Sequence, residues 1–185
     1  MPANRRETCF FIFSLFFLLG SIVGGFMGSL FEQNGMLVGF SGTAELGNSN
    51  FILIFLRFIR FHALAVFLGS SSFGIVLLPV LIALKGYSIS CTAAVIMSAY
   101  PDNGIIMALV ILGIPSLFSL PCCFLISVES FFSSRKIFDL LRGSSAALRN
   151  RLTGLAILCL PVLLTGALME MILVPRLVSW LTQIA

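Results

Sequence analysis

Long stretches of this chain carry no charge. The runs 10–30, 61–84 and 104–128 contain no Asp, Glu, Lys or Arg, and 153–174 contains a single acid, Glu170. A fifth run, 86–99, is shorter and rich in small residues. About 20 apolar residues suffice to cross the hydrocarbon of a bilayer as a helix, within a working range of about 17–25. Four of the runs meet that length. Backbone groups at membrane depth have to be satisfied internally, so the runs are predicted to be helices. Hydrophobic residues make up 59% of the chain and charged residues 10%, where soluble domains hold roughly 45–50% and about 25%. So few charges cannot cover a water-soluble fold of this size. A soluble enzyme, a nucleic-acid binder and a disordered chain are excluded. The predicted fold is all-α: a polytopic membrane bundle in one domain over 1–185, with about five transmembrane helices at 10–30, 61–84, 86–99, 104–128 and 153–174, plus interfacial amphipathic helices.

The basic residues then predict an orientation. With five spans and the N-terminus in the cytoplasm, the inner side holds Arg5, Arg6, Lys85, Arg135, Lys136, Arg142, Arg149 and Arg151, and the outer side Arg57, Arg60 and Arg176. The split is 8 against 3 of the 11 Lys and Arg present. Excess Lys and Arg on the cytoplasmic side is the rule for short loops, so the C-terminus is expected outside. Were 86–99 re-entrant, the basic segment 135–151 would face outward, against that rule. Lys85-Gly86 is expected to form the inner turn between the second and third spans, with Lys85 snorkelling to the headgroups. Arg5 and Arg6 before an apolar run resemble the start of a signal peptide. The run exceeds the usual h-region of about 7–15 residues, so an uncleaved anchor is expected. No lipidation motif is present.

Along the first span, Gly20, Gly24 and Gly28 recur every fourth residue, with Ser21, Gly25 and Ser29 beside them. Such a stripe of small residues lets a second helix approach closely where water supplies no drive. The sequence leaves open whether that helix is in the same chain or in a second copy. The loop 31–50 contains Glu32 and Glu45, and the following segment 51–61 contains Arg57 and Arg60. This segment reads as an amphipathic helix on the outer interface, with a bend either in the Gly69–Gly74 stretch or near His62. Glu32, Glu45, Arg57 and Arg60 together form the candidate outer surface for a partner. The third span, made of small and hydroxyl residues, is expected to be surrounded by protein. Pro115 and Pro121 bend the fourth, which shapes a bundle or marks a transport site. The charged stretch 129–152 alternates Phe and Leu with Arg and Lys. It reads as an amphipathic helix on the inner surface against anionic lipid, broken at Gly143. Glu170 is an acid inside a span, where a structural partner such as Arg176 competes with a role in ion chemistry. The tail after Pro175 contains Trp180 as an interfacial anchor.

No catalytic set accompanies these features. There is no H-E-x-x-H, G-x-S-x-G or glycine-rich phosphate loop. The five cysteines, Cys9, Cys91, Cys122, Cys123 and Cys159, form no C-x-x-C pair and have no acid or histidine at metal-ligand spacing. Buried reduced thiols are expected, with no cofactor and no metal. His62, the single histidine, is expected to be a hydrogen-bonding anchor at the interface.

From His62 to Lys136 the chain resembles the stage II sporulation protein M family. The likeness lies in the order of Gly69, Gly74, Leu78-Pro79, Lys85-Gly86, Asn103-Gly104, Pro115 and Pro121. The resemblance implies a non-enzymatic membrane scaffold that recruits peptidoglycan-cleaving partners, sporulation proteins D and P, during forespore engulfment. A histidine–acid motif found around the fourth span in parts of the wider superfamily is missing here, so no ion-binding role is carried over. A different reading of the same residues is a small permease or the membrane subunit of a transporter. That reading predicts a hydrated cavity between the third and fourth spans.

Overall fold

In a computed structural model, residues 3–33, 51–100, 103–142 and 151–184 are described. They are helical, with no strand among them. The elements are α1 (Ala3–Gln33), α2 (Phe51–Gly69), α3 (Gly74–Ala99), α4 (Gly104–Ala108), α5 (Ile114–Leu141) and α6 (Arg151–Ile184). A π-helical turn, Leu109–Gly113, joins α4 to α5. It lies just before Pro115, which cannot donate the backbone hydrogen bond that a regular turn needs.

Four helical stretches are long and apolar enough to cross a membrane: Arg6–Leu30, Gly74–Ala99, Gly104–Leu141 and Gly154–Val174. The apolar part of α2, Ile59–Gly69, is shorter. The direction of each helix follows from its contacts. Gly20 of α1 meets Ala83 of α3, Gly24 meets Tyr87, and Gly28 meets Cys91. The numbers rise together, so α1 and α3 run parallel. The chain must therefore return between them, and α2 makes that return. It ends where Gly69 abuts Ser130 of α5, next to the residue that pairs with Arg6 at the start of α1. Arg6, Arg135, Lys136 and Arg142 thus gather at one end of the bundle, called the basic end below.

The expected turn at Lys85-Gly86 is not there. Helix α3 runs through both residues without interruption, and the break falls at 70–73. Two hydroxyls and the backbone of this segment supply the bonds of the turn. Ser71 Oγ accepts the Phe73 N–H at 3.3 Å, Ser70 Oγ donates to the Val66 carbonyl at 3.2 Å, and the Gly74 N–H donates to the Ser71 carbonyl at 3.2 Å. The helices here consequently run over 51–69 and 74–99, where 61–84 and 86–99 were expected. The two amphipathic stretches are likewise continuous with spans. Residues 51–61 form the first half of α2, and 129–141 prolong α5. No Gly or Pro interrupts the chain between Pro121 and Arg142, so nothing ends the helix sooner. Helix α6 also continues through Pro175.

The core lies between α1, α2, α3, α5 and α6, built on Phe13, Leu78, Ile82, Cys123, Ile126, Leu163 and Ala167. Phe13 meets Phe131 edge-on at 5.8 Å, and Phe17 meets Phe124 at 5.7 Å, both favoured aromatic arrangements. Facing outward are Phe11, Ile22, Phe26, Ile105, Leu117 and Ile157, each at least 66% exposed. In water such a surface would aggregate; in a bilayer it is the lipid face.

Candidate functional site

Three sets of contacts hold the helices in place, and each brings polar or small residues together at a defined depth. The first is the α1–α3 seam. A Cβ at Gly20 would overlap the carbonyl oxygen of Ala83, one at Gly24 would overlap that of Tyr87, and one at Gly28 would come 2.7 Å from the Ala94 Cβ. Backbone stands against backbone here, so a side chain cannot be accommodated by a rotamer change. The glycine stripe thus packs within the chain. In α3, Thr92 and Ser98 donate to the carbonyls of Ser88 and Ala94 at 2.8 and 2.9 Å. Their hydroxyls are satisfied inside their own helix, and dispersion and close approach hold the seam.

The second set lies at the basic end. Arg6 and Glu129 form an ion pair with Nη2 to Oε2 of 3.4 Å, joining α1 to α5. Beside it the α2–α3 turn docks on α5. Gly69 lies against Ser130, and Ser134 Oγ donates to the Leu68 carbonyl at 3.0 Å. Glu129, Ser130 and Ser134 are all buried. Sequence reading treated Glu129 only as the start of a surface segment. The available signal was an acid with Val128 on one side and Phe131-Phe132 on the other, an apolar setting that calls for a partner.

The third set lies at mid-depth. Gly20 stands near the middle of the apolar part of α1, Arg6–Leu30. It touches Ala83, so Lys85 lies close to the centre of the bilayer rather than at a headgroup. Its ammonium is 4.7 Å from the centre of the Phe61 ring, and the Arg60 guanidinium is 4.9 Å from the same centre. Cation–π contact is most valuable when desolvated, which explains how α3 carries a lysine at its middle. Glu170 on α6 is near enough to act on Lys85 electrostatically, as is Arg60. Glu170 is half-buried and has its own contacts. His62 is 2% exposed, inside the bundle and not at the interface. Its Nε2 lies 3.1 Å from the Ser119 carbonyl oxygen. A carbonyl only accepts, so Nε2 carries a hydrogen and donates it. The Ser119 and Ser130 hydroxyls are buried with no protein partner.

Arg60 accordingly belongs to the interior level of α2 and not to an interfacial helix. Glu45 lies outside the described residues, as do the side chains of Glu32, Arg57 and Trp180. Cys91, Cys122, Cys123 and Cys159 are buried, Cys9 is partly exposed, and all five are free thiols. Among the described residues no group of three His, Cys, Asp or Glu side chains is placed to hold a metal ion.

No curated protein and no solved structure matches the chain. The family model described as stage II sporulation protein M matches residues 9–175. That stretch runs from the first turns of α1 to beyond Glu170 and takes in the glycine seam, the Gly69–Gly74 turn, Lys85 and α5 with its two prolines; this multi-pass membrane protein belongs to the stage II sporulation protein M family.

Proposed function

We propose that the protein is a non-enzymatic membrane scaffold that recruits and positions peptidoglycan-degrading proteins during forespore engulfment. The observation that carries this reading is the family match over residues 9–175. The family is not a known enzyme family. The contacts of the chain are of the kind a scaffold needs. Its polar groups are engaged in helix–helix joints: Arg6 with Glu129, Ser134 with Leu68, His62 with Ser119. The partners on this reading are cell-wall hydrolases on the outer side of the cell membrane, sporulation proteins D and P. The basic end, with Arg6, Arg135, Lys136 and Arg142, is assigned to the cytoplasm, which puts the N-terminus inside and the C-terminus outside.

Capture from cross-linked membranes of sporulating cells tests the proposal. The tagged full chain is expected to recover wall hydrolases, in amounts that fall when the loop 31–50 is exchanged for an unrelated sequence. Recovery of folded protein with no wall hydrolase would sink the proposal. The polar groups at mid-depth, Lys85 and His62, favour a second reading as a small permease, because charges inside membranes often mark pathways. Solute flux into vesicles containing the protein, abolished by Lys85→Met, would establish that reading in place of the first.

A further inference from the structure

Arg60 is the one Arg or Lys of α2 whose side chain is described, and it faces outward. Leu56, Arg60, Ala63, Leu64 and Phe67 are all exposed. Their spacing places them on one face of the helix, open to lipid. In the middle of that face is a guanidinium. Nine residues separate Arg60 from Gly69 at the basic end, which is about 13 Å of helix. Arg60 therefore lies near the midplane of a hydrocarbon layer about 30 Å thick. It does not stretch to a headgroup, because its guanidinium is held over the ring of its neighbour Phe61. Among the described residues no carboxylate lies within 4 Å of it. Among the described residues at this level, cations outnumber acids by one. Arg60 and Lys85 share one ring, and one acid, Glu170, acts on the Lys85 side. Of these described groups, the Arg60 guanidinium is the one exposed on the lipid face.

We infer that Arg60 is a docking point for a membrane-spanning helix of another protein that carries a carboxylate at mid-depth. Depth selects this occupant. Lipid phosphates lie about 15 Å away on either side of the midplane, so a second transmembrane segment is the natural means of delivering an anion there. Ala63 leaves room beside Arg60 for a close approach, while Leu56, Leu64 and Phe67 supply the flanking apolar contact. Ionisable residues inside membranes pair with one another, and Arg forms directed hydrogen bonds to a carboxylate. The inference rests on the reading of the chain as a holder of other membrane proteins and specifies how one of them would be gripped.

The test uses the full chain in phosphatidylcholine vesicles and a synthetic leucine–alanine helix of about 20 residues with one central Glu, or Leu in its place. Energy transfer between labels measures association. The Glu helix is expected to bind about tenfold more tightly than the Leu helix, the scale of a strong interhelical polar contact. That preference is expected to vanish in Arg60→Leu and to persist in Arg60→Lys. Equal binding of the two helices, or a preference that survives Arg60→Leu, overturns the inference. So does, in a parallel arm with phosphatidylglycerol added to the vesicles, an Arg60-dependent retention of that lipid with no preference for the Glu helix, which would make the site a lipid site. No wall hydrolase is present in this assay, so its failure leaves the scaffold reading to the capture experiment.

Discussion

A side chain at Gly24 has nowhere to go. The atoms it would strike are the backbone of Tyr87, and backbone in a packed helix cannot turn aside. Gly24→Val is therefore expected to destabilise the α1–α3 pair by about 1–3 kcal/mol or more, the usual range for overpacking. Unfolding in mild detergent, followed by tyrosine fluorescence and helical signal, would measure it. Gly154 provides the internal control, since nothing lies within 4 Å of a Cβ built there. Gly154→Ala should be neutral or gain up to about 1 kcal/mol from helix propensity. Equal effects at the two positions would mean that α1 does not rest on α3 through its glycines.

At the level of elements, the joint between α2, α3 and α5 is where physical detail outran the sequence. Small residues at every fourth position are a local pattern, so the packing face of α1 was legible without knowing its partner. The turn after α2 falls at 70–73 and not at Lys85, although Lys85 ends an apolar run in the sequence. A lysine ends a span only if it must reach water. Phe61 offers its ring to the ammonium, and Phe61 is distant in sequence, so α3 passes through Lys85 while Ser70, Ser71 and Ser72 make the turn. The bond from His62 to Ser119 spans 57 positions, and nothing in the local pattern of either residue announces it. The joint itself can be tested. Ser134→Ala removes the hydroxyl that donates to the Leu68 carbonyl and is expected to cost about 0.5–1.5 kcal/mol. Hydrogen exchange should show the loss as faster exchange around 66–74. Unchanged exchange there would mean the turn is held by the neighbouring Gly69–Ser130 contact alone.

For the molecule as a whole, the moved turn changes what the charges say. Class and solvent were legible from composition alone, because 10% charged residues permits few alternatives. Lys85, one of the eight inner cations of the five-span topology, lies at mid-depth instead. Seven of the 11 Lys and Arg remain at the basic end or in the segment that joins α5 to α6: Arg5, Arg6, Arg135, Lys136, Arg142, Arg149 and Arg151. Because α1 and α3 are parallel and α2 returns between them, the start of α1 and the end of α5 share a side, and the end of α1 and the start of α2 lie on the other. The five native cysteines replaced, single cysteines can be placed at Ser144, Ser41 and Lys85 and exposed to a membrane-impermeant maleimide. In intact cells Ser41→Cys should react and Ser144→Cys should not, while permeabilised cells should show reaction at both. Lys85→Cys should stay unreactive from either side, since α3 holds it near the centre of the bilayer. A turn at Lys85-Gly86 would instead make that cysteine react once the cells are opened, and the α1–α3 register that fixes every depth assigned to Lys85, Phe61 and Arg60 would fall with it.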